Sequence, residues 1–210
     1  MDNNNKDITI KSFSQTPRQI YINDEICSDS LAQLKKDLLD IENNDELTLE
    51  ENYNALSLIN KKVADAYKNS IVFSPIIINI CSPGGELYAG LGMYDLIKRY
   101  DENPKYDLTV VIDGYAASMA TIVMLACKKR ITSPNSSFLI HSASSIIYGK
   151  MNDVADDVDE LKRIDKICKS IYVSSTKLTN EKLQEIDKYR KDWWLSADEA
   201  LKFGLVTEIK

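Results

Sequence analysis

The sequence has a single histidine, and its four cysteines lie far apart along the 210 residues. Because no two cysteines form a CxxC pair, the sequence predicts neither a zinc site nor a disulfide framework. Unpaired cysteines are typical of a reducing compartment, so we expect the protein to be cytoplasmic.

The sequence also lacks a long apolar run and an excess of positive charge. Its most apolar stretch, residues 110–126, is interrupted by Asp113 and falls short of a membrane span. The N-terminal residues MDNNNKD contain no apolar segment typical of a secretory signal. With 26 basic and 32 acidic residues, the net charge of −6 argues against a nucleic-acid-binding protein. The glycine-rich motifs of nucleotide sites are absent as well.

Length and composition predict one globular domain. A chain of 210 residues with 44% hydrophobic and 28% charged residues is typical of a single domain with one sizeable core. We expect the polar, asparagine-rich residues 1–17 to form a flexible leader and residues 18–210 to form the domain. Helical periodicity is present at about 28–41 and 50–68, and the acidic stretch 41–52 is predicted to be a solvated linker between these helices.

Strands and helices alternate through the rest of the chain. Residues 75–80 and 107–112 are continuous apolar runs that predict buried strands, and helices are predicted after them at 86–99 and 116–127. This alternation predicts an α/β fold with parallel strands. A helix over about 152–178 is long enough that we expect it to project and meet a partner. Shorter elements are predicted at 19–23, 130–132, 137–141 and 205–209 (strands) and at 181–188 and 196–203 (helices).

A serine and the single histidine are candidates for a nucleophile and its base. Histidine is the side chain best suited to exchanging a proton at neutral pH, and His141 is the one this chain has. Ser118 follows a predicted buried strand and begins a small-residue helix, where free N–H groups favour an oxyanion. Both residues also have structural interpretations, His141 as a hydrogen-bonded strand-end residue and Ser118 as a helix cap. The flanking residues are not GxSxG, which disfavours an α/β-hydrolase.

Two further features could complete such a site. The turn Ser82-Pro83-Gly84-Gly85 ends a predicted strand, and the Gly85 N–H could serve as an oxyanion donor or simply belong to a tight turn. A triad also needs an acid that orients the histidine. Asp192 precedes two tryptophans that could shield it from water, although it could equally be an exposed loop residue.

Four segments, in this order along the chain, carry a specific sequence resemblance. They are CSPGGELYAGLGMYDLIK (81–98), DGYAASMATIVMLA (113–126), KKRITSPNSSFLIHSA (128–143) and KDWWLSADEALKFGLVTEI (191–209). Together they resemble the ClpP family of self-compartmentalising serine peptidases over about residues 76–209. The resemblance implies a crotonase-like fold of repeated β-β-α units with a protruding handle helix.

The resemblance also implies a role for five residues of the candidate site. Ser118 corresponds to the nucleophile, His141 to the general base and Asp192 to the orienting acid. Gly85 and Met119 correspond to the residues whose N–H groups bind the oxyanion. The implied reaction is cleavage of unfolded or short polypeptides through an acyl-enzyme, with no metal or organic cofactor.

Assembly and substrate contacts are implied in the same way. The helix at 152–178 corresponds to the handle that interlocks two heptameric rings, so we expect a homo-oligomer. Tyr148 and Gly149 correspond to a strand that pairs with the substrate backbone. An AAA+ unfoldase is the implied partner, and neither nucleic acid nor a membrane is expected.

Several positions depart from the family pattern. His141-Ser142-Ala143 replaces His-Gln-Pro, Ser145-Ile146 replaces Gly-Gly, and residues 43–70 resemble an insertion. These departures are typical of a divergent member, for example one of phage type. The alternatives are a processing peptidase of the phage head-maturation type, a non-catalytic ring subunit, and a crotonase-type acyl-CoA enzyme. A Ser-Lys signal-peptide peptidase is disfavoured because the chain shows no membrane segment.

Overall fold

A seven-stranded sheet organises the fold, seen in a computed structural model that describes residues 10, 13, 17–144, 147–189 and 192–210. The strands are β1 (Arg18–Ile22), β2 (Ile76–Ser82), β3 (Leu108–Ala117), β4 (Arg130–Thr132), β5 (Ser137–Ile140), β6 (Trp193–Ser196) and β7 (Glu208–Ile209). The helices are α1 (Ser28–Ser57), α2 (Lys61–Ser70), α3 (Leu87–Asp101), α4 (Met119–Met124), α5 (Met151–Ser175), α6 (Asn180–Tyr189) and α7 (Ala197–Phe203).

The long central strand β3 determines where the functional residues meet. Five strands run parallel in the order β1-β2-β3-β4-β7. Strand β2 pairs along most of β3, β4 pairs with residues 110–112 of β3, and β5, which is also parallel, pairs with residues 115–117. Strand β6 lies antiparallel on the outer side of β5. Since β3 and β5 are parallel neighbours, the residues that come after them emerge side by side.

The core lies between this sheet and the helices packed on it. Along β2, Ile76, Ile78 and Ile80 are buried, and the residues between them are partly covered. Each fully buried isoleucine stabilises the fold by about 1.5–3 kcal/mol. The small helix α4 is buried along its whole length, which explains its small and apolar composition. The predicted α/β class and the main strands are therefore confirmed.

The prediction of a solvated linker at 41–52 is wrong, because α1 continues through it without interruption. Two of its polar side chains, those of Asp45 and Asn52, are buried and find partners inside the fold. Asp45 is buried and forms an ion pair with Arg18 of β1, with 2.6 Å between Nη1 and Oδ2. The buried Asn52 amide donates a hydrogen bond of 2.8 Å to the hydroxyl of Tyr67 in α2.

Other element boundaries also differ from the predictions. Strand β3 extends through Ala117, so the helix predicted from 116 begins only at Met119. Strand β6 is not among the predicted elements, and the final strand covers only Glu208–Ile209. The predicted leader falls mostly outside the described residues, although Phe13 packs its ring 5.2 Å from that of Phe73.

Helix α5 has two halves with different surroundings. All of its buried residues lie towards its C-terminal end, from Ile164 to Tyr172. The first half, 151–163, contains none, so it extends away from the core, as predicted for the long helix. None of the helices in the described part of the chain is long and apolar enough to cross a membrane.

Candidate active site

Ser118 occupies a strained turn between β3 and α4. Its φ of 54° and ψ of −124° make it the one non-glycine residue with positive φ in the described part of the chain. Such a conformation costs about 1–3 kcal/mol and is typical of functional sites. Hydrogen bonds fix the turn: the Ser118 N–H donates to Leu139 O at 2.9 Å, and Thr121 donates to the Ser118 carbonyl from both N and Oγ1.

His141 lies directly beside this serine. It comes after β5, and the pairing of β5 with the end of β3 brings the two side chains together. The His141 Nε2 atom is 2.7 Å from Ser118 Oγ, which is hydrogen-bonding distance. With the proton of a neutral imidazole on Nδ1, Nε2 accepts the bond from the serine hydroxyl. The structure therefore brings together the two residues that the sequence proposed as nucleophile and base.

Asp192 lies on the other side of the imidazole but does not reach it. The distance between His141 Nδ1 and Asp192 Oδ1 is 4.0 Å, too long for a hydrogen bond. The expectation that two tryptophans shield Asp192 is wrong, because its side chain is 67% exposed and Trp194 is 53% exposed. Strand β6 sits at the edge of the sheet, where water screens the charge of this carboxylate.

The turn at the end of β2 packs against the turn that carries Ser118. Gly84 has a φ of +91°, and a Cβ placed on it would lie 2.6 Å from Ala117 O and 2.8 Å from Met119 N. Only glycine allows this approach. Among the described residues, neither the Gly85 N–H nor the Met119 N–H has an acceptor. Two free donors thus lie on the turns beside Ser118, an arrangement that could serve as an oxyanion hole.

The segment after His141 does not form the predicted strand. Pairing of β5 ends at Ile140, and residues 141–144 and 147–150 belong to no strand. They have no ladder to extend because β3 ends at Ala117, which pairs with Leu139, and β6 begins at Trp193, which pairs with Ile140. Tyr148 is 88% exposed, and Gly149 has a φ of +156°. The predicted departure at Ser145-Ile146 lies outside the described residues.

A cavity opens beside Ser118 and His141. Its walls are mainly apolar and come from four helices and β5; the large aliphatic side chains are Leu87, Met119, Ile122, Ile140, Leu183 and Ile186. Its polar part is a cluster of Asp165 and Lys169 from α5 with Asp187 from α6. The Lys169 ammonium bridges both carboxylates. Burial disfavours this charge, but the two carboxylates outweigh burial and raise the pKa of Lys169.

A chain of hydrogen bonds from the buried core also supports the turn that carries Ser118. The Thr121 hydroxyl donates to the Ser118 carbonyl at 2.6 Å and also bonds the buried Tyr172 hydroxyl. Because the Thr121 proton is used by that carbonyl, Tyr172 is the donor to Thr121. Burial raises the pKa of Tyr172, so it stays protonated and keeps this role.

Sequence reasoning missed three supporting features. Gly84 belongs to the turn that the sequence singled out, but its close approach to Ser118 depends on two segments that are distant in sequence. Thr121 lies one turn of helix after the serine, a spacing that could have indicated its bond to the carbonyl. The Asp165–Lys169 spacing of four residues on a helix predicts an ion pair, but nothing in it points to the cavity. No cluster of side chains that could hold a metal occurs within the described ranges.

The family model and the relatives that match this sequence all carry the name Clp protease. The family model described as Clp protease matches residues 57–210. An ATP-dependent Clp protease proteolytic subunit of Dehalococcoides mccartyi is 33% identical over 162 residues, covering 73% of this chain and 78% of that protein. The equivalent subunit of Deinococcus radiodurans is 34% identical over 129 residues, and the match covers 60% of each chain. This chain thus spans less than two thirds of the Deinococcus protein.

The fold agrees with a solved structure. A mutant of ClpP1 from Listeria monocytogenes superposes with a TM-score of 0.65 at 24% identity, covering 92% of this chain and 91% of that chain. The predicted ClpP-like fold is therefore confirmed, whereas a phage-type origin stays a prediction. With the sequence match extending over most of its length, the chain belongs to the Clp protease family of serine peptidases.

Proposed function

We propose that the protein is a serine endopeptidase that cleaves unfolded or short polypeptides through an acyl-enzyme. Ser118 is the nucleophile and His141 the general base. The observation that carries this proposal is the 2.7 Å contact between His141 Nε2 and Ser118 Oγ at a strained turn. A nucleophile within hydrogen-bonding reach of its base is the arrangement that acyl transfer requires.

The proposed reaction uses these groups in the positions that they occupy. Ser118 Oγ attacks the peptide carbonyl carbon while its proton passes to His141 Nε2. The N–H groups of Gly85 and Met119 stabilise the negative charge that develops on the carbonyl oxygen. His141 then gives its proton to the leaving amine, and water, activated in the same way, releases the product acid from Ser118.

Asp192 completes the proposed triad by stabilising the imidazolium form of His141. At 4.0 Å from Nδ1 it is about 1 Å beyond hydrogen-bonding distance in the single subunit. Its exposure leaves it free to move, so a small side-chain rotation would close the gap. We propose that Asp192, rather than the cavity carboxylates Asp165 and Asp187, takes this role because those two already bind Lys169.

Assembly into a chamber is proposed from α5. Val154, Val158 and Leu161 are only partly covered along its projecting half, which leaves an apolar stripe for another subunit. The relatives are named proteolytic subunits of ATP-dependent proteases. We therefore propose stacked rings that receive polypeptides from an AAA+ ATPase in the cytoplasm, with residues Tyr148 and Gly149 contacting the substrate backbone.

A non-catalytic ring subunit is the second candidate, favoured by the distance and exposure of Asp192. Hydrolysis of a fluorogenic peptide and of an unfolded labelled polypeptide separates the two. We expect activity in the wild type and a loss of about 10³-fold or more in Ser118→Ala. Ser170→Ala, an exposed serine that bonds only within α5, is the matched control. Equal rates in the wild type and Ser118→Ala would contradict the peptidase proposal.

A further inference from the structure

The cavity beside Ser118 carries charge where its walls are otherwise apolar. Ser118, His141 and the cluster of Asp165, Lys169 and Asp187 all line the same space. In a peptidase, the side chain next to the attacked carbonyl enters a pocket adjoining the nucleophile. Selection of a substrate side chain by this pocket therefore rests on the proposed function. It gives the proposed peptidase a substrate preference.

The cluster has a net negative charge. Two carboxylates and one ammonium sum to −1, and no other aspartate, glutamate, lysine or arginine lines the cavity among the described residues. The side chains of the three residues are 24–33% exposed, so they are covered but still accessible from the cavity. A charge in such a partly dry site acts more strongly on a ligand than one on an open surface.

The geometry of the cluster is fixed from several directions. Lys169 holds one oxygen of each carboxylate. The second oxygen of Asp187 accepts from Ser142 Oγ at 2.7 Å, and that of Asp165 accepts from the Ala143 N–H at 3.4 Å. Both donors come directly after His141. The cluster cannot easily turn away from an incoming side chain, because doing so would break bonds on three segments at once.

We propose that Asp165, Lys169 and Asp187 make this cavity a charge-selective pocket for the residue whose carbonyl Ser118 attacks. It rejects acidic side chains, whose carboxylate meets a net negative site. It favours side chains with an apolar stem, which the walls contact, and a cationic or amide tip, which donates to the carboxylates. Specificity then comes from repulsion of the wrong partner as much as from attraction of the right one.

Four peptidyl diphenyl phosphonates test this selectivity; they differ only in carrying glutamate, glutamine, lysine or norleucine beside the phosphorus. Ser118 Oγ attacks phosphorus and phenol leaves, so intact mass reports the labelling rate without requiring turnover. A small alkyl fluorophosphonate, which has no such side chain, calibrates the reactivity of the serine. We expect the glutamate probe to react about tenfold or more slowly than glutamine, and lysine at least as fast as norleucine.

Variants assign the effect to the cluster. Asp187→Asn removes one negative charge with little change of shape and should raise the glutamate-to-glutamine rate ratio several-fold. Glu185→Gln makes the same charge change on the same helix, but Glu185 pairs with Lys182 outside the cavity, so the ratio should not change. Asp165→Asn serves the same purpose if Asp187→Asn fails to fold.

The outcomes separate the two proposals. If the fluorophosphonate labels Ser118 but the glutamate and glutamine probes react equally fast, the pocket inference is wrong and the peptidase proposal stands. A wild-type preference that Asp187→Asn and Asp165→Asn both leave unchanged would also overturn the inference, because the cluster would not be its source. If the fluorophosphonate does not label Ser118, the proposed function fails and the pocket inference fails with it.

Discussion

Replacing Gly84 by alanine should disable the active site while leaving the fold intact. The new Cβ would lie 2.6 Å from Ala117 O and 2.8 Å from both Met119 N and Ser118 Cβ. These atoms are not flexible side-chain ends, so the two turns must separate. Restoring an ordinary contact of 3.4 Å requires a shift of about 0.8 Å. A displacement of that size at a reacting centre costs about 10²-fold in rate.

Gly84→Ala should also lower the stability of the fold, because alanine would have a strained backbone at this position. A second glycine with positive φ provides a matched control for that strain. A side chain at a φ of +91° costs about 1–2 kcal/mol. Gly204 ends α7 with a φ of +78°, but its Cβ would meet nothing closer than 3.4 Å. Gly204→Ala should therefore lose similar stability, about 2–4 °C of melting temperature for each kcal/mol, with no loss of serine reactivity.

The assay compares melting temperature and fluorophosphonate labelling rate for the wild type, Gly84→Ala and Gly204→Ala. We expect Gly84→Ala to be labelled about 10²-fold more slowly while remaining folded. If it is labelled within about twofold of Gly204→Ala, the turn does not position the nucleophile, and the reasoning from close contact is refuted.

Three further predictions concern charge and buried polarity. Asp192→Asn should lower the fluorophosphonate labelling rate of the isolated subunit by no more than about tenfold, because this carboxylate is exposed and lies 4.0 Å from the imidazole. A loss near 10⁴-fold would contradict this and show a closed triad. Thr121→Val removes a hydrogen bond to the Ser118 carbonyl and leaves the Tyr172 hydroxyl without its acceptor. Urea titration should therefore show that the free energy of unfolding falls by about 2 kcal/mol, and an unchanged midpoint would contradict this. Burial raises the pKa of Asp45 above 3.8, so the folded protein binds this proton more tightly than the unfolded chain. Wild-type stability relative to Asp45→Asn should therefore fall as pH rises above about 4, and a rise in urea titrations would refute the assignment.

The predictable part of the fold is the part governed by local pattern. The apolar runs of β2 and β3 and the helical periodicity after them predict buried strands and crossover helices. The polar stretch 41–52 led to the wrong prediction because its stabilising partners are remote in sequence. Arg18, which neutralises Asp45, lies 27 residues away, and no local pattern reveals that pairing.

The candidate site also contains features that the sequence could predict and features that it could not. Ser118 and His141 could be proposed from residue type and position at strand ends, and the structure places them in contact. The distance and exposure of Asp192 depend on the edge strand β6, which the sequence did not predict. Likewise, the strand expected around Tyr148 depends on a pairing partner that the described chain does not supply beyond Ile140.

The central claim, that Ser118 is an activated nucleophile, is tested most directly by the intact mass of the protein after treatment with a fluorophosphonate, in the wild type and in Ser118→Ala. We expect a single adduct on the wild type and none on the variant, because His141 activates only that serine. An unmodified wild type with a native melting transition, or an adduct that persists in Ser118→Ala, would contradict the assignment of Ser118 as the nucleophile.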